Sequence, residues 1–263
     1  MANTIDLRSH CSHFRILVIG RANAGKTTLL KKVCNSIEDP LIFDPYGDKI
    51  EASVVEESVE RGLHDIENQL IFQSNPKFIF HDTRGFESGS IAETNKVKEF
   101  IAKRAGSTEL HDQLHAIWYC LPTDTNRPLL HADEQFFNTD ITGKVPVIAI
   151  FTMFDGLITE AFTQLKEGGV SRKEAKDRQI EQALGMLTTK FVEPLMSTKY
   201  PPADHVRLDG ELAYCSEWQA NHFNCNELVE KTANALSDET LKLLFVSVQQ
   251  NNIKSCIYHA VLQ

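Results

Sequence analysis

The segment Gly20-Arg21-Ala22-Asn23-Ala24-Gly25-Lys26-Thr27 constrains this chain more than any other, because it has the spacing of the phosphate-binding pattern G-x-x-x-x-G-K-[ST]. The apolar run Phe14 to Ile19 precedes it and Thr28 to Val33 follows, which predicts the strand, loop and helix that the pattern requires. In that setting successive backbone N–H groups form an anion-binding nest, and the helix aims the positive end of its dipole at a phosphate. Lys26 is expected to reach the β and γ oxygens, the Thr27 hydroxyl to ligate Mg2+, and Thr28, at the start of the helix, to be among the nucleotide-binding residues. Without the flanking strand and helix the same residues would read as an ordinary glycine-rich turn.

The chain has 263 residues, 42% of them hydrophobic, enough for a sizeable core, and no linker composition divides it. The expected organisation is a polar tail over residues 1–13 and a single domain over 14–263. A net charge of -9 argues against nucleic acid as a partner, since that binding depends on Lys and Arg neutralising phosphates. No apolar run is long enough to span a bilayer and no signal peptide is evident, so a soluble, cytoplasmic protein is expected. The six cysteines (Cys11, Cys34, Cys120, Cys215, Cys225, Cys256) form no C-x-x-C pair, which suits reduced thiols. His10-Cys11-Ser12-His13 contains three possible metal ligands but no matching cluster elsewhere, and reads as part of the polar tail.

Apolar runs and turn residues predict strands near 14–19, 64–72, 78–81, 115–121, 146–151 and 205–208, with helices near 26–36, 91–105, 130–138, 157–167, 172–193 and 226–249. The fold class is α/β: three layers around a mostly parallel six-stranded sheet. The short turn Gln73-Ser74-Asn75-Pro76-Lys77 makes the second and third strands a hairpin, so one strand runs antiparallel. In the fifth helix Ser171-Arg172-Lys173-Glu174 is a capping box, and Ile180, Leu184, Leu187, Phe191 and Leu195 form a stripe expected to face the core until Pro194 disrupts its end. A last helix beginning after Ser237 is expected to bury Leu241, Leu244, Phe245 and Val248. The pattern resumes at Ile253, Cys256, Ile257 and Ala260, which suit packing on the domain or a partner-binding or membrane-surface helix.

Two further motifs decide which nucleotide. The strand Phe78-Ile79-Phe80-His81 runs into Asp82-Thr83-Arg84-Gly85, a D-x-x-G sequence at a strand's carboxyl end, where open α/β sheets bind ligands. Asp82 is placed to hold Mg2+ through a water, and the Gly85 amide to face the γ-phosphate. The strand ending at Phe151 leads into Thr152-Met153-Phe154-Asp155, which resembles the guanine-reading motif [NT]-K-x-D. A carboxylate at Asp155 accepts from both the N1–H and the exocyclic amine of guanine, an arrangement adenine lacks, so GTP is expected over ATP. Met153 stands where that motif has lysine; it supplies the apolar contact over the base and not the charge.

With these motifs in order, the chain resembles the TRAFAC class of P-loop GTPases, which contains Ras-like, septin-like and Era-like G domains. The segments Arg61 to Glu67 and His115 to Cys120 are similar to those of a group of G domain-containing proteins of fungi, the likeness spanning roughly residues 14–255. The resemblance implies a molecular switch that binds GTP and GDP with Mg2+ and signals to an effector protein. It places the first switch between Asn35 and Glu67, where a Thr or Ser closes over Mg2+; no threonine occurs there, and Ser58, with Ser53 as the alternative, is the expected ligand. The stretch from Glu38 to Glu60 carries eight acidic residues against Lys49 alone, which suits a solvated loop or an effector surface. The fifth G motif falls at Leu208-Asp209-Gly210 or at Cys215-Ser216.

Where Ras-like proteins carry a water-positioning Gln, this chain has Phe86, which implies slow hydrolysis. The loop resembles the G-R-P-N-V-G-K-S loop of Era-like proteins, with Ala22 in place of Pro; that likeness makes Asn23 a candidate K+ ligand in a nucleotide-dependent homodimer. Arg84 is either a further charge-stabilising group or a surface arginine. Three readings result: a slow GTPase switch, a hydrolysis-poor GTP-binding scaffold, and an ATPase or kinase sharing only the phosphate loop. The last has no need of Asp155.

Overall fold

The computed structural model describes residues 13–50, 65–83, 91–208 and 225–248. All strands among them join one sheet: β1 (Phe14–Gly20), β2 (Leu41–Phe43), β3 (Lys49–Ile50), β4 (Gln69–Phe72), β5 (Asn75–Asp82), β6 (Ala116–Pro122), β7 (Val147–Thr152) and β8 (Asp204–Arg207). Their order is β3-β2-β4-β5-β1-β6-β7-β8. The five strands from β5 to β8 in this order are mutually parallel. β4 pairs antiparallel with β5, as the turn after Phe72 predicts, and β2 and β3 extend that edge through two further antiparallel pairings. The α/β class and the largely parallel sheet therefore hold, while the described residues contain eight strands rather than the six expected, and two of them, β4 and β3, run against the rest.

The helices are α1 (Lys26–Val33), α2 (Ile91–Ala105), α3 (His131–Phe137), α4 (Phe154–Glu167), α5 (Arg172–Leu187), α6 (Cys225–Ala235) and α7 (Glu239–Val248). Strands buried on both faces need cover on both, and alternate residues supply it. Leu17, Ile19, Ile117, Tyr119 and Phe151 pack under α2 to α5. Ile16, Val18, Trp118, Ile148 and Val206 pack under α1, α6 and α7. Each such large apolar side chain contributes about 1.5–3 kcal/mol by leaving water. Trp118 also donates its indole N–H to Thr232 Oγ1 at 3.1 Å, which fixes α6 on the sheet.

Two helix expectations need correction. The span 226–249 is not one helix but two, and the second begins where a start after Ser237 is expected: Asp238 Oδ1 accepts from the Thr240 N–H at 2.7 Å and caps it. Leu241 and Leu244 are partly buried there, Phe245 and Val248 fully. On α5 Ser171 caps as expected, accepting from the Glu174 N–H. Its apolar stripe reaches the core only at Leu187 and beyond, whereas Ile180 is 52% exposed and Leu184 39%. The helix does not end before Pro194: a π turn (Thr188–Val192) leads into Glu193–Met196, placing the proline in the opening of a new helical segment, where its missing N–H costs least. Phe191 and Leu195 stay buried as a result.

Candidate functional site

The carboxyl ends of the parallel strands step outward from β5 to β7: Asp82 pairs with Val18, two residues before the end of β1, Gly20 pairs with Cys120, two before the end of β6, and Pro122 and Thr152 end β6 and β7 together. α1, which follows β1, packs on one face and α2, which follows β5, on the other, so the chain leaves these neighbouring strands in opposite directions. That divergence opens a crevice at their ends.

At the end of β1, Gly20 is required by close approach, since a Cβ there would lie 2.7 Å from the Cys120 carbonyl oxygen. The loop then turns through left-handed backbone at Asn23 (φ 59°) and Gly25 (φ 76°), the second of these suited to glycine. Lys26, in the first turn of α1, is buried and folds back over the loop, donating to the Gly20 and Arg21 carbonyls at 3.1 and 3.0 Å. Its Nζ lies 3.8 Å from Asp82 Oδ1 at the end of β5. Ala22, Asn23, Thr27 and Thr28 are exposed, and Ala24 is buried beneath them.

Burial pushes the Asp82 carboxyl up to about 6, against the Lys26 ammonium and the Thr83 amide, which hold it down. Asp82 Oδ1 is shut off from solvent and has no hydrogen-bond partner. A buried carboxylate oxygen without a donor, across from the exposed hydroxyl-bearing start of α1, is a donor set that fits a hard divalent cation.

Thr152, Met153 and Asp155 sit at the end of β7, two strands from β1 and so roughly 10 Å from the phosphate loop. Met153 takes a left-handed conformation (φ 59°) as the residue before α4, and Asp155 occupies the first turn of that helix, half-buried. The Thr152 hydroxyl is buried with no partner, while its carbonyl accepts from Thr123 N–H and Oγ1 at 2.9 and 3.0 Å. Arg207 at the end of β8 stacks its guanidinium 4.5 Å from the Phe154 ring centre.

The loop over residues 20–27 and Asp82 are thus brought together, with Thr152, Met153 and Asp155 along the same edge. Ser58 and Ser53, Arg84, Gly85 and Phe86, and Asp209, Gly210, Cys215 and Ser216 lie outside the described residues, as do residues 10–12 and 253–260. Leu208 is buried.

Sequence reasoning treats Arg21 as a phosphate-nest residue, and its side chain has another task. It donates to Asp133 Oδ2 at 2.7 Å and to the carbonyls of Arg127 and Pro128 at 3.1 and 3.0 Å. Asp133 also accepts from the Tyr119 hydroxyl at 2.7 Å and the Leu130 N–H at 2.7 Å. The only local signal for this network is an aspartate in the first turn of α3, which by itself reads as a helix cap.

In comparison with known proteins, no family model matches this chain and no curated protein matches it significantly. Among the described residues no helix is long and apolar enough to cross a membrane, and Cys34, Cys120 and Cys225 are free thiols.

Proposed function

We propose that this chain is a guanine-nucleotide-binding protein of the P-loop G-domain class, which binds GTP and GDP with Mg2+ and hydrolyses GTP slowly. The observation that carries the reading is the Lys26 ammonium, held between two loop carbonyls and 3.8 Å from Asp82 at the carboxyl edge of a parallel sheet. An ammonium satisfied only by neutral carbonyls and a raised carboxyl is poised to exchange them for phosphate oxygens. The loop amides of residues 20–28 receive the phosphates and the Gly85 amide meets the γ-phosphate. Thr27, Asp82 and Ser58 would hold Mg2+, which neutralises charge on the β and γ oxygens. Asp155 accepts from guanine, Thr152 supports the turn and Met153 covers the base.

Phe86 and Met153 favour a second reading, a GTP-binding scaffold with negligible turnover. Turnover separates the two: a rate indistinguishable from buffer would leave the scaffold. Asn23 is the candidate K+ ligand, and equal turnover in K+ and Na+ would exclude that role. The partners are an effector protein reading the acidic segment 38–60 and a second copy of the chain. Sedimentation with GTP against GDP tests the homodimer, and one monomeric species in both would exclude it. Free buried thiols support a cytoplasmic setting, which imaging of a tagged chain would test; a secreted or organellar signal would contradict it. The nucleotide assignment itself is tested by binding of GTP, GDP and ATP to wild type and Lys26→Ala.

A further inference from the structure

The phosphate loop and the guanine-reading turn leave β1 and β7, two strands apart, and beyond the strand ends the sheet pairing no longer holds them together. The segment over residues 123–130, between β6 and α3, touches both. On one side Arg21 grips it, with Nη1 on the Arg127 carbonyl and Nη2 on the Pro128 carbonyl and Asp133. Asp133 closes that end by accepting from the Leu130 N–H, and Tyr119 reaches it from β6. On the other side Thr123 bonds the Thr152 carbonyl through both its N–H and its hydroxyl. The first turn of α4 then presses on Asp124 so closely that a Cβ on Gly156, next to Asp155, would lie 2.6 Å from the Asp124 Cβ.

We infer that residues 123–130 form a spacer that sets the separation of the phosphate and base subsites, with Asp133 as a positioning residue acting through Arg21. This rests on the nucleotide reading above. A ligand that spans both subsites feels the spacer, whereas one that fills only the phosphate subsite does not. The ionic network suits such a task because Arg21 and Asp133 are both buried, and a fork held by three acceptors has one orientation.

The test is calorimetric titration of the full chain with Mg2+-GTP and, separately, Mg2+-tripolyphosphate, on wild type, Asp133→Asn, Tyr119→Phe and Gly156→Ala. Asp133→Asn leaves Arg21 buried opposite a neutral group and can fail to fold; Tyr119→Phe, which keeps both charges, and Gly156→Ala then carry the test. The expected result is a loss of GTP affinity of about tenfold with tripolyphosphate affinity held within about twofold, in the folded network variants and in Gly156→Ala alike. A purely structural role would lower the melting temperature and leave the ratio of the two affinities at its wild-type value; that outcome overturns the spacer while the nucleotide reading stands. Wild type that binds tripolyphosphate and GTP equally, or neither, overturns both.

Discussion

Lys26 Nζ stands 3.8 Å from Asp82 Oδ1, a pair drawn from the helix after β1 and the end of β5, and at that separation the two attract without a hydrogen bond. Two of the lysine's protons go to the Gly20 and Arg21 carbonyls, so the half-buried Asp82 keeps an Oδ1 that is shut off from solvent and weakly compensated. That oxygen is the group short of a partner, which a cation would supply.

This pairing has a pH consequence for binding. Asp82 has its carboxyl raised to about 6, so it carries a proton below that value and holds a cation poorly. Affinity for Mg2+-GTP is expected to rise as pH increases through about 6 and then level. Nucleotide phosphate titrates in the same range, so Asp82→Asn provides the subtraction. If the pH step is identical in wild type and in that variant, Asp82 is not the group responsible.

Stability without nucleotide depends on pH through other groups. His115 is lowered from 6.5 to about 4 by burial and by Arg15, and burial with the Arg15 guanidinium, 2.7 Å from His81 Nε2, lowers His81 well below its usual value. A depressed histidine favours folding above the unfolded value, and that contribution is lost as pH falls from 6.5 towards 4, by roughly 3 kcal/mol for His115 alone. Asp82 opposes this: raised from 3.8 to about 6, it contributes most below 3.8 and that contribution is gone above 6. Denaturant melts across this window should therefore show a steeper acid loss in Asp82→Asn than in wild type. An equal or shallower slope would mean that Asp82 does not oppose the histidines as described.

On the proposal that Thr152 to Asp155 read guanine, Met153 has no charge to brace the loop over residues 20–27, so Met153→Lys is expected to tighten GTP and GDP by several-fold, on the order of 1 kcal/mol. Asp155→Asn should move preference from guanine to xanthine, because the amide presents one donor and one acceptor to the base. Competition between GTP and XTP measures this directly, and an unchanged preference would remove Asp155 from the pocket.

The parts of the fold legible in the sequence are those whose signal is local. β1, β6 and β7 are buried along their whole length and predominantly apolar, with Arg15 the one charged residue, and the phosphate-loop pattern is a contiguous motif on a strand and helix that the same stretch encodes. β2 and β3 are three and two residues long with no fully buried residue, so no alternation marks them. The exposure of Ile180 and Leu184 is set by which face of α5 meets the layer below, which periodicity alone does not specify. Arg21 and Asp133 are 112 residues apart, and their pairing exists only once the sheet sets β1 beside β6.

Guanine-nucleotide binding is tested most directly by titrating the purified chain with GTP, GDP and ATP in Mg2+, alongside Lys26→Ala. GTP and GDP are expected to bind and ATP to be largely refused, and Lys26→Ala to lose roughly 100-fold in affinity, as when one side of a charge-assisted contact is removed. Equal affinity for ATP and GTP, or full binding by Lys26→Ala, would contradict the guanine-nucleotide reading.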